Sequence, residues 1–345
     1  MKTKSCVLMA VSLAVSAVFS CGNGSSSEKD NKAYSRDIFA MDTYMSIRAY
    51  GGGEKALDAA EERIRELESE LSVTSQDSDV SRINAASGSP AEVSDDTLAI
   101  LKKAVEIGGL TGGALDITAY PLVREWGFTT GSYHIPDQQV IDTLLENVDF
   151  SRINISGNSV SAGEGQMVDL GALAKGYTGD EVIQTLRDNG ADAAIISLGG
   201  NVQSFGEKPD GSEWKVAVRD PFSPETDMCV IGIGEKAVIT SGNYERCFKG
   251  DDGREYWHII DPADGYPADN GIVSATIIGD SGIDCDALST AMFVEGLEGA
   301  AELWRSDPAY DMILVTDDGN IYYTDGIAGS FDNLSDMPAE VIPRD

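Results

Sequence analysis

The sequence predicts an α+β fold in which mixed, mostly antiparallel sheets carry packed helices. Helical and strand patterns are interspersed without the steady strand–helix–strand repetition of a doubly wound parallel sheet. The composition is that of a globular protein, because 42% of the 345 residues are hydrophobic and 24% are charged. No internal repeat is visible, and the length suffices for one large domain or two modest ones.

Each predicted element follows from the period of its apolar residues or from its turn residues. Helix 54–72 has apolar residues at helical spacing, and helix 94–113 has a Ser94 or Asp95 cap and closing glycines. In chain order, the prediction is strand 38–51, helix 54–72, helix 94–113, an ambiguous segment 141–150, hairpin 151–171, helix 176–190, strand segments 192–206, 214–221, 229–242, 255–268 and 272–280, helix 286–304 and hairpin 311–326.

The first residues predict an export signal. Two lysines precede an apolar run that is too short to span a membrane comfortably, as is typical of a secretory signal over residues 1–20. The run ends in VFSC, which indicates a lipobox with a lipid on Cys21; the alternative is a simple signal peptide cut near the same place. We therefore expect a flexible tether at 21–37, a folded domain at 38–345, and a lipid-anchored protein on the periplasmic or cell-surface side of a bacterial membrane.

The charge excludes several classes of partner. The net charge of −33 repels nucleic acid and anionic lipid, so we expect membrane contact only through the lipid anchor. An anionic ligand must therefore be bound by local groups such as metal ions, helix N-termini or a few buried cations. Cys229, Cys247 and Cys285 have neither the number nor the spacing of a disulfide framework or a zinc site, although one pair could form.

Two glycine-containing loops are candidates for ligand binding. Gly112 and Gly113 permit a close approach of the backbone to a ligand and precede Asp116, although a helix C-terminus turning into a strand explains the same pattern. In VDLGALAKGYTGDEV, Asp169 and Lys175 lead into a helix, which is a layout that binds anions at helix N-termini. The Walker A pattern is absent, and a capping Asp169 or a solvated Lys175 remains an alternative.

Two later segments carry weaker signals. Gly199 and Gly200 follow an apolar strand and either bring the backbone close to a ligand or form a bulge. His258, one of only two histidines, precedes Asp261 in a segment that is turn-forming by composition. A lone histidine is more often structural than catalytic, so this segment alone decides nothing.

The stretch GIDCDALSTA (282–291) indicates a site for a hard cation. Asp286, Ser289 and Thr290 are spaced so that a helix places them on one face. Carboxylate, hydroxyl and backbone carbonyl oxygens suit Mg²⁺ better than a soft metal. An ordinary helix start with an N-cap at Asp284 is the alternative.

Taken in order, these segments resemble the ApbE-type FAD:protein FMN transferases. The resemblance covers nearly the whole chain from residue 38 onward, and the lipobox fits it as well. The matching segments are MDT (41–43), DSDVSRIN (77–84), GGALDITAYPLVREWGF (112–128), VDLGALAKGY (168–177), SLGGNVQSFG (197–206), WKVAVRDP (214–221), TSGNYER (240–246), HIIDPADGYP (258–267) and DCDALSTA (284–291).

The resemblance implies a T-fold-like architecture with a ligand cleft between two subdomains, and an Mg²⁺-dependent enzyme. Such enzymes transfer the FMN part of FAD to a threonine or serine hydroxyl of an exported flavoprotein or redox-pump subunit and release AMP. The resemblance places flavin and adenine contacts at Met41, Thr74, Ala114, Leu115, Asp116, Asp169, Lys175 and Ile260. It places the metal at Ala172, through its backbone carbonyl, and at Asp286 and Thr290, with Ser289 adjacent.

The catalytic base and the outcome of the reaction stay open at this point. His258 is our candidate for accepting the hydroxyl proton or contacting the phosphate, and an aspartate could serve instead. The sequence departs from the family pattern at Thr74, where an aromatic residue is usual, at Asp42, where Gly is common, and at Asn243, where Asp is common. The alternatives are an Mg²⁺-dependent FAD diphosphatase giving FMN and AMP, and a non-catalytic FAD-binding lipoprotein.

Overall fold

The computed structural model describes residues 32–307 and 309–344. The predicted signal over 1–20 and the lipidation site at Cys21 lie outside the described residues. Residues 33–37, which the sequence assigns to the tether, form the beginning of a strand that pairs with the next one from Ala33 onward. The expected domain limit at residue 38 therefore cuts through this strand.

Seventeen strands and seven α-helices make up the described chain. The strands are β1 (Ala33–Ala40), β2 (Thr43–Gly51), β3 (Ala91–Glu92), β4 (Asn154–Ser156), β5 (Ser159–Ser161), β6 (Ala191–Leu198), β7 (Asn201–Phe205), β8 (Trp214–Asp220), β9 (Ser223–Ile233), β10 (Ala237–Gly242), β11 (Cys247–Lys249), β12 (Glu255–Trp257), β13 (Ile272–Gly279), β14 (Asp311–Thr316), β15 (Ile321–Thr324), β16 (Phe331–Asn333) and β17 (Ala339–Ile342). The helices are α1 (Gly53–Leu71), α2 (Asp79–Ala85), α3 (Asp95–Leu110), α4 (Tyr120–Glu125), α5 (Gln138–Leu145), α6 (Gly171–Asp188) and α7 (Gly282–Ser306).

A nine-stranded sheet organises the fold. Its order is β1-β2-β6-β7-β10-β13-β14-β15-β17, and every pairing is antiparallel except that of β15 with β17. Smaller sheets are β16-β9-β8, β3-β5-β4 and the hairpin β11-β12. The predicted α+β class with mostly antiparallel sheets is thus confirmed.

The core lies on both faces of the large sheet. All eight residues of β13 are buried, because helices cover one face and the small sheet of β8 and β9 covers the other. Ile277 packs in the cluster that includes Met292 and Phe293 of α7, whereas Ile278 packs with Trp214 and Met228. Two-sided burial explains why this strand is apolar without alternation.

Helices α6 and α7 cross at two glycines, and this contact positions the candidate site. A Cβ atom on Gly176 would lie 2.2 Å from the Gly282 carbonyl oxygen and 2.6 Å from Asp286 Cβ. A Cβ on Gly282 would in turn lie 2.6 Å from the Gly176 carbonyl oxygen. The absence of side chains at both positions therefore permits the close packing of the two helices.

Several element limits differ from the prediction. The expected strand 38–51 is interrupted by a turn at Met41 and Asp42, whose φ angles of 48° and 57° lie in the left-handed region. Residues 192–206 form the hairpin β6-β7 instead of one strand, with the turn at Gly199–Gly200. Helix α6 begins at Gly171 rather than Gly176, so Lys175 lies within the helix and not before it.

Helix α7 contains a break at Gly296, where φ is 75°. The side-chain amide of Asn270 donates to the carbonyl oxygens of Phe293 and Val294, at 2.9 and 2.7 Å, and so satisfies carbonyls left free by the break. No disulfide joins Cys229, Cys247 and Cys285 in the described chain. Within residues 32–307 and 309–344, no helix is long and apolar enough to cross a membrane.

Candidate active site

The start of α7 is fixed by two side chains that bind its free backbone N–H groups. Ser281 is the N-cap and accepts the N–H of Asp284 at 3.3 Å. The carboxylate of Asp180 on α6 accepts the N–H groups of Gly282 and Ile283 at 2.7 and 2.9 Å. The alternative cap at Asp284 is therefore wrong.

Asp284 has a different function in the fold. Its carboxylate lies in the first turn of α7 and pairs with Lys103 of α3 at 2.9 Å. This ion pair joins α3 to α7 outside the group of oxygens around Asp286.

Asp286 follows one turn into α7 and is buried against α6. Its side chain is 4% exposed, and Oδ2 accepts the backbone N–H of Gly176 at 2.7 Å. Burial raises the pKa of this carboxyl, while Lys175 and the N–H groups of Gly176 and Lys175 oppose the rise. The crossing of the two helices thus brings a carboxylate against the first turns of α6.

The same contact affects the carbonyl groups at the start of α6. In a regular α-helix, the N–H groups of Lys175 and Gly176 bind the carbonyl oxygens of Gly171 and Ala172. Here both N–H groups also face the carboxylate of Asp286. A carbonyl oxygen has two lone pairs, so the carbonyl of Ala172 can accept a second partner besides the helix N–H.

Three hydroxyl groups lie beside Asp286. Ser289 is fully buried and donates to the backbone carbonyl of Asp286 at 2.8 Å. Ser241, at the end of β10, lies 2.8 Å from Ser289 Oγ and 3.3 Å from Thr290 Oγ1. The Ser289 hydroxyl is committed to the protein, so Thr290, which is partly exposed, is the better placed of the two for a ligand.

The donor set fits a hard cation. Asn201 is 3% exposed, and its side chain faces the carboxylate of Asp286 and lowers the pKa of that carboxyl. In the described chain, no three His, Cys, Asp or Glu residues form a metal-binding group. A cation at Asp286 would therefore be bound by one carboxylate together with hydroxyl, carbonyl and ligand oxygens, which is the donor chemistry that Mg²⁺ prefers.

Two cations face this group. The charge of Lys175 lowers the pKa values of Asp169, Glu245, His258 and Asp286. The charge of Arg246, which follows β10, also lowers the pKa values of Asp169, Glu245 and His258. This concentration of positive charge lies in a chain of net charge −33, where an anion could otherwise not approach.

Asp169 lies immediately before Leu170, which is the N-cap of α6. Its Oδ1 accepts the N–H of Gly171 at 3.1 Å, and its own N–H binds the Ile117 carbonyl at 3.0 Å. Burial raises its pKa, and the N–H groups of Gly171 and Leu170 oppose this. Asp169 is therefore not the N-cap residue of α6, although its carboxylate binds one N–H of the first turn, and the charge of Lys175 also lowers its pKa.

His258 has a buried ring nitrogen without a partner. Its Nδ1 is inaccessible and forms no hydrogen bond in the described chain, although the side chain as a whole is partly exposed. Burial, Arg246 and Lys175 together lower the pKa of His258 to about 3. The imidazole is consequently neutral near pH 7 and can accept a hydrogen bond, but it is a weak base in the ligand-free protein.

A cleft of about 420 Å³ lies one helical turn beyond Thr290 on α7. It is lined by residues of four segments, namely 111–116, 148–150, 261–263 and 294–295. Ala114 and Asp116 are among the lining residues. Leu115 and Ile260, by contrast, have side chains only 3% and 6% exposed, so a ligand would meet mainly their backbone.

Asp116 organises one wall of this cleft. Its Oδ1 accepts the N–H and the hydroxyl of Thr118 at 2.8 and 2.6 Å, and its Oδ2 accepts the N–H of Phe150 at 2.9 Å. Gly112 and Gly113 follow the C-terminus of α3, as the interpretation of this loop as a helix end predicts. The chain then continues into a 3₁₀ helix at Ile117–Ala119 and not into the expected strand.

Met41 and Thr74 make their described hydrogen bonds outside the Asp286 group. The backbone N–H of Met41 donates to Glu68 at 2.6 Å, and Thr178 donates to its sulfur at 3.7 Å. Thr74 is exposed in the loop after α1 and bonds to Ser72 at 3.1 Å. No described contact joins Thr74 to the Asp286 group.

Sequence reasoning missed four residues of the site, namely Asn201, Ser241, Glu245 and Arg246. The last three belong to TSGNYER, a segment noted only for its resemblance, and Asn201 follows the glycine pair. The pairing of β10 with β13 and of β7 with β10 brings these four residues close to α7. The local sequence does not predict this strand register.

Comparisons with known proteins identify the family of the chain. A family model described as the ApbE family matches residues 41–314. A relative from Treponema pallidum, named FAD:protein FMN transferase, is 32% identical over 347 residues, covering 94% of this chain and 95% of the relative. A Vibrio cholerae protein of the same name is 34% identical over 262 residues, covering 74% of this chain and 78% of that protein.

Solved structures show the same fold. The ApbE protein from Thermotoga maritima superposes with a TM-score of 0.80 at 29% identity, covering 86% of this chain and 98% of that one. The flavin transferase ApbE from Vibrio cholerae gives a TM-score of 0.77 at 28% identity, covering 87% of this chain and 99% of that one. The chain belongs to the ApbE family.

Proposed function

We propose that this protein is an FAD:protein FMN transferase that uses Mg²⁺ and flavinylates a threonine or serine hydroxyl of an exported acceptor protein. The observation that carries the proposal is the buried carboxylate of Asp286, held 2.7 Å from the Gly176 N–H and flanked by hydroxyls and by Lys175. The names of the relatives supply the reaction, and the site supplies groups suited to it.

The reaction forms a bond between the acceptor oxygen and the phosphorus of the FMN part. The bond from that phosphorus to the bridging diphosphate oxygen breaks, AMP leaves with the bridging oxygen, and the hydroxyl proton passes to a base. A bound Mg²⁺ would neutralise diphosphate charge and polarise the phosphorus. Phosphoryl transfer needs positioning and charge stabilisation more than covalent participation of the protein.

The residues of the chain divide these tasks. Asp286, Thr290 and the Ala172 carbonyl would hold the cation, and Lys175 would bind a phosphate oxygen as a point charge. His258 is neutral near pH 7 and can hold the hydroxyl by a hydrogen bond; it would take the hydroxyl proton only where the bound diphosphate offsets the two cations that lower its pKa. The cleft at Ala114 and Asp116 would take part of the FAD molecule.

The cellular setting is also part of the proposal. A lipid on Cys21 would anchor the domain on the periplasmic or cell-surface side of a bacterial membrane, where an exported flavoprotein or redox-pump subunit could reach it. Comparing the lipid content of the full chain with that of a Cys21→Ser variant tests the anchor. A variant that stays lipidated and membrane-bound would refute it.

Product analysis tests the reaction. The protein from residue 32 onward keeps all of β1, and is incubated with FAD and Mg²⁺, with and without a peptide bearing a candidate acceptor threonine. We expect AMP release that requires the peptide, together with a fluorescent peptide of increased mass. FMN and AMP without any acceptor would instead establish a diphosphatase, and unchanged bound FAD would establish a flavin carrier.

A further inference from the structure

Arg246 is placed beside His258 by the hairpin of β11 and β12. Cys247 pairs with Trp257, and the next pair outward joins Arg246 to His258, whose N–H donates to the Arg246 carbonyl at 3.1 Å. Residues opposite each other in an antiparallel pair project their side chains to the same face. The guanidinium and the imidazole therefore lie on one side of the hairpin.

The guanidinium of Arg246 has no protein partner. It forms no hydrogen bond or ion pair with any residue in 32–307 or 309–344, although its charge lowers the pKa values of Asp169, Glu245 and His258. Elsewhere on this acidic chain, Arg36 binds three carboxylates and Arg63 also binds three. Arg246 is solvent-exposed, and an unpaired arginine beside carboxylates on an acidic chain indicates a position that an external anion can reach.

A second, independent observation points to the same ligand. His258 Nδ1 is buried without a partner, and the side-chain ammonium of Lys175, on helix α6, likewise has no hydrogen bond or ion pair with a described residue. Two cations on different elements thus flank an unsatisfied imidazole. Burial, followed by these two cations, also lowers the pKa of His258, as expected of local positive potential.

We propose that Arg246 is a phosphate-binding residue that holds the diphosphate of FAD against Lys175. The planar guanidinium can donate two parallel hydrogen bonds to phosphate oxygens, whereas the lysine supplies a point charge. This inference rests on the proposed function for the identity of the ligand. It assigns a role to a residue that neither the local sequence pattern nor the resemblance singled out.

Binding of FAD in the presence of EDTA tests the proposal without turnover. The full chain and its Arg246→Gln, Arg246→Lys and Arg254→Gln variants are titrated with FAD and, separately, with riboflavin, which lacks phosphate. Arg254 is a matched control because it is exposed on the same hairpin and its loss changes the charge equally. We expect at least about tenfold weaker FAD binding for Arg246→Gln, an intermediate effect for Arg246→Lys, and unchanged riboflavin binding throughout.

Two results would overturn the proposal. One is FAD affinity of Arg246→Gln equal to that of the parent and of Arg254→Gln. The other is an equal loss of FAD and riboflavin binding, since that would mean a structural role. The outcome is independent of the transferase reaction: a protein that never flavinylates an acceptor but loses FAD affinity at Arg246→Gln would contradict the proposed function and support this inference.

Discussion

At the scale of single residues, His258 gives the most direct test of the electrostatics of the site. Because burial, Arg246 and Lys175 lower its pKa to about 3, its ring should stay neutral in the ligand-free protein at every pH above about 5. We expect the ring resonances of His258 in NMR spectra to remain constant between about pH 8 and about pH 5.

The chain makes this measurement easy to assign. Only two histidines are present, and His134 lies on the surface, so the His134→Asn variant leaves one set of resonances. A titration of His258 with a midpoint near about 6.5, the ordinary histidine value, would contradict the positive environment that we describe.

The residue scale also shows what the sequence could and could not predict. Asp286, Ser289 and Thr290 were predicted as a group because helical spacing alone places them together. The contact of Ser241 with Ser289 and Thr290 depends on strand register between β10 and β13, across about fifty residues of chain. The commitment of the Ser289 hydroxyl to the Asp286 carbonyl depends on packing, and spacing does not reveal it.

At the scale of elements, the crossing of α6 and α7 determines where Asp286 lies. Gly176→Ala would put a Cβ 2.2 Å from the Gly282 carbonyl oxygen, so the two helices must separate. We expect a loss of about 1–3 kcal/mol in the free energy of unfolding, measured by urea denaturation, together with weaker Mg²⁺-dependent activity.

A second glycine provides the control for this substitution. Gly109 in α3 has nothing within 4 Å of the position of an added Cβ. Gly109→Ala should therefore stabilise the protein by up to about 1 kcal/mol, since alanine is the better helix former. If Gly176→Ala were as well tolerated as Gly109→Ala, the close helix crossing would be wrong.

Asp180 links the start of α7 to pH. Burial raises its pKa to about 6, against the effect of the N–H groups of Ile283 and Gly282. The pKa of Asp180 in the folded protein exceeds the ordinary value of 3.8. The protonated carboxyl therefore contributes its whole stabilisation below pH 3.8, and this contribution is lost as the pH rises through about 6. Between about pH 4 and about pH 7.5, the parent should lose up to about 3 kcal/mol relative to Asp180→Asn.

Denaturation of both proteins at the two pH values measures this difference directly. The comparison removes the contribution of other acids, which both proteins share. Parallel pH profiles of the parent and Asp180→Asn would show that the carboxyl titrates normally, and would contradict the raised pKa that we assign to Asp180.

The elements that the sequence predicted correctly are those whose signals are local. Helices α1 and α3 follow from apolar spacing, and Ser94 caps α3 by accepting the N–H of Thr97 at 3.1 Å. The hairpin of β1 and β2 was missed because Met41 and Asp42 adopt left-handed φ angles without the glycine or asparagine typical of such turns. The start of α6 was missed because glycines occupy positions 171 and 176, where the second serves packing rather than helix propensity.

At the scale of the whole molecule, the charge and the site must be considered together. A chain of net charge −33 repels a diphosphate at long range, so binding depends on the few cations near Asp286 and on the divalent ion proposed there. The composition predicts that an anion needs local binding groups. The tertiary fold shows which groups these are, because it brings α6, α7, β10 and the β11-β12 hairpin together.

The central claim is that the oxygen group around Asp286 supports flavin transfer. The most direct test is mass spectrometry of an acceptor peptide after incubation with FAD and Mg²⁺, using the parent and Asp286→Asn. The asparagine keeps a side-chain oxygen that can accept the Gly176 N–H, so the fold should persist by circular dichroism. We expect flavinylated peptide and AMP with the parent, and at least about a hundredfold slower transfer with Asp286→Asn. Undiminished Mg²⁺-dependent transfer by the folded Asp286→Asn variant would contradict the account.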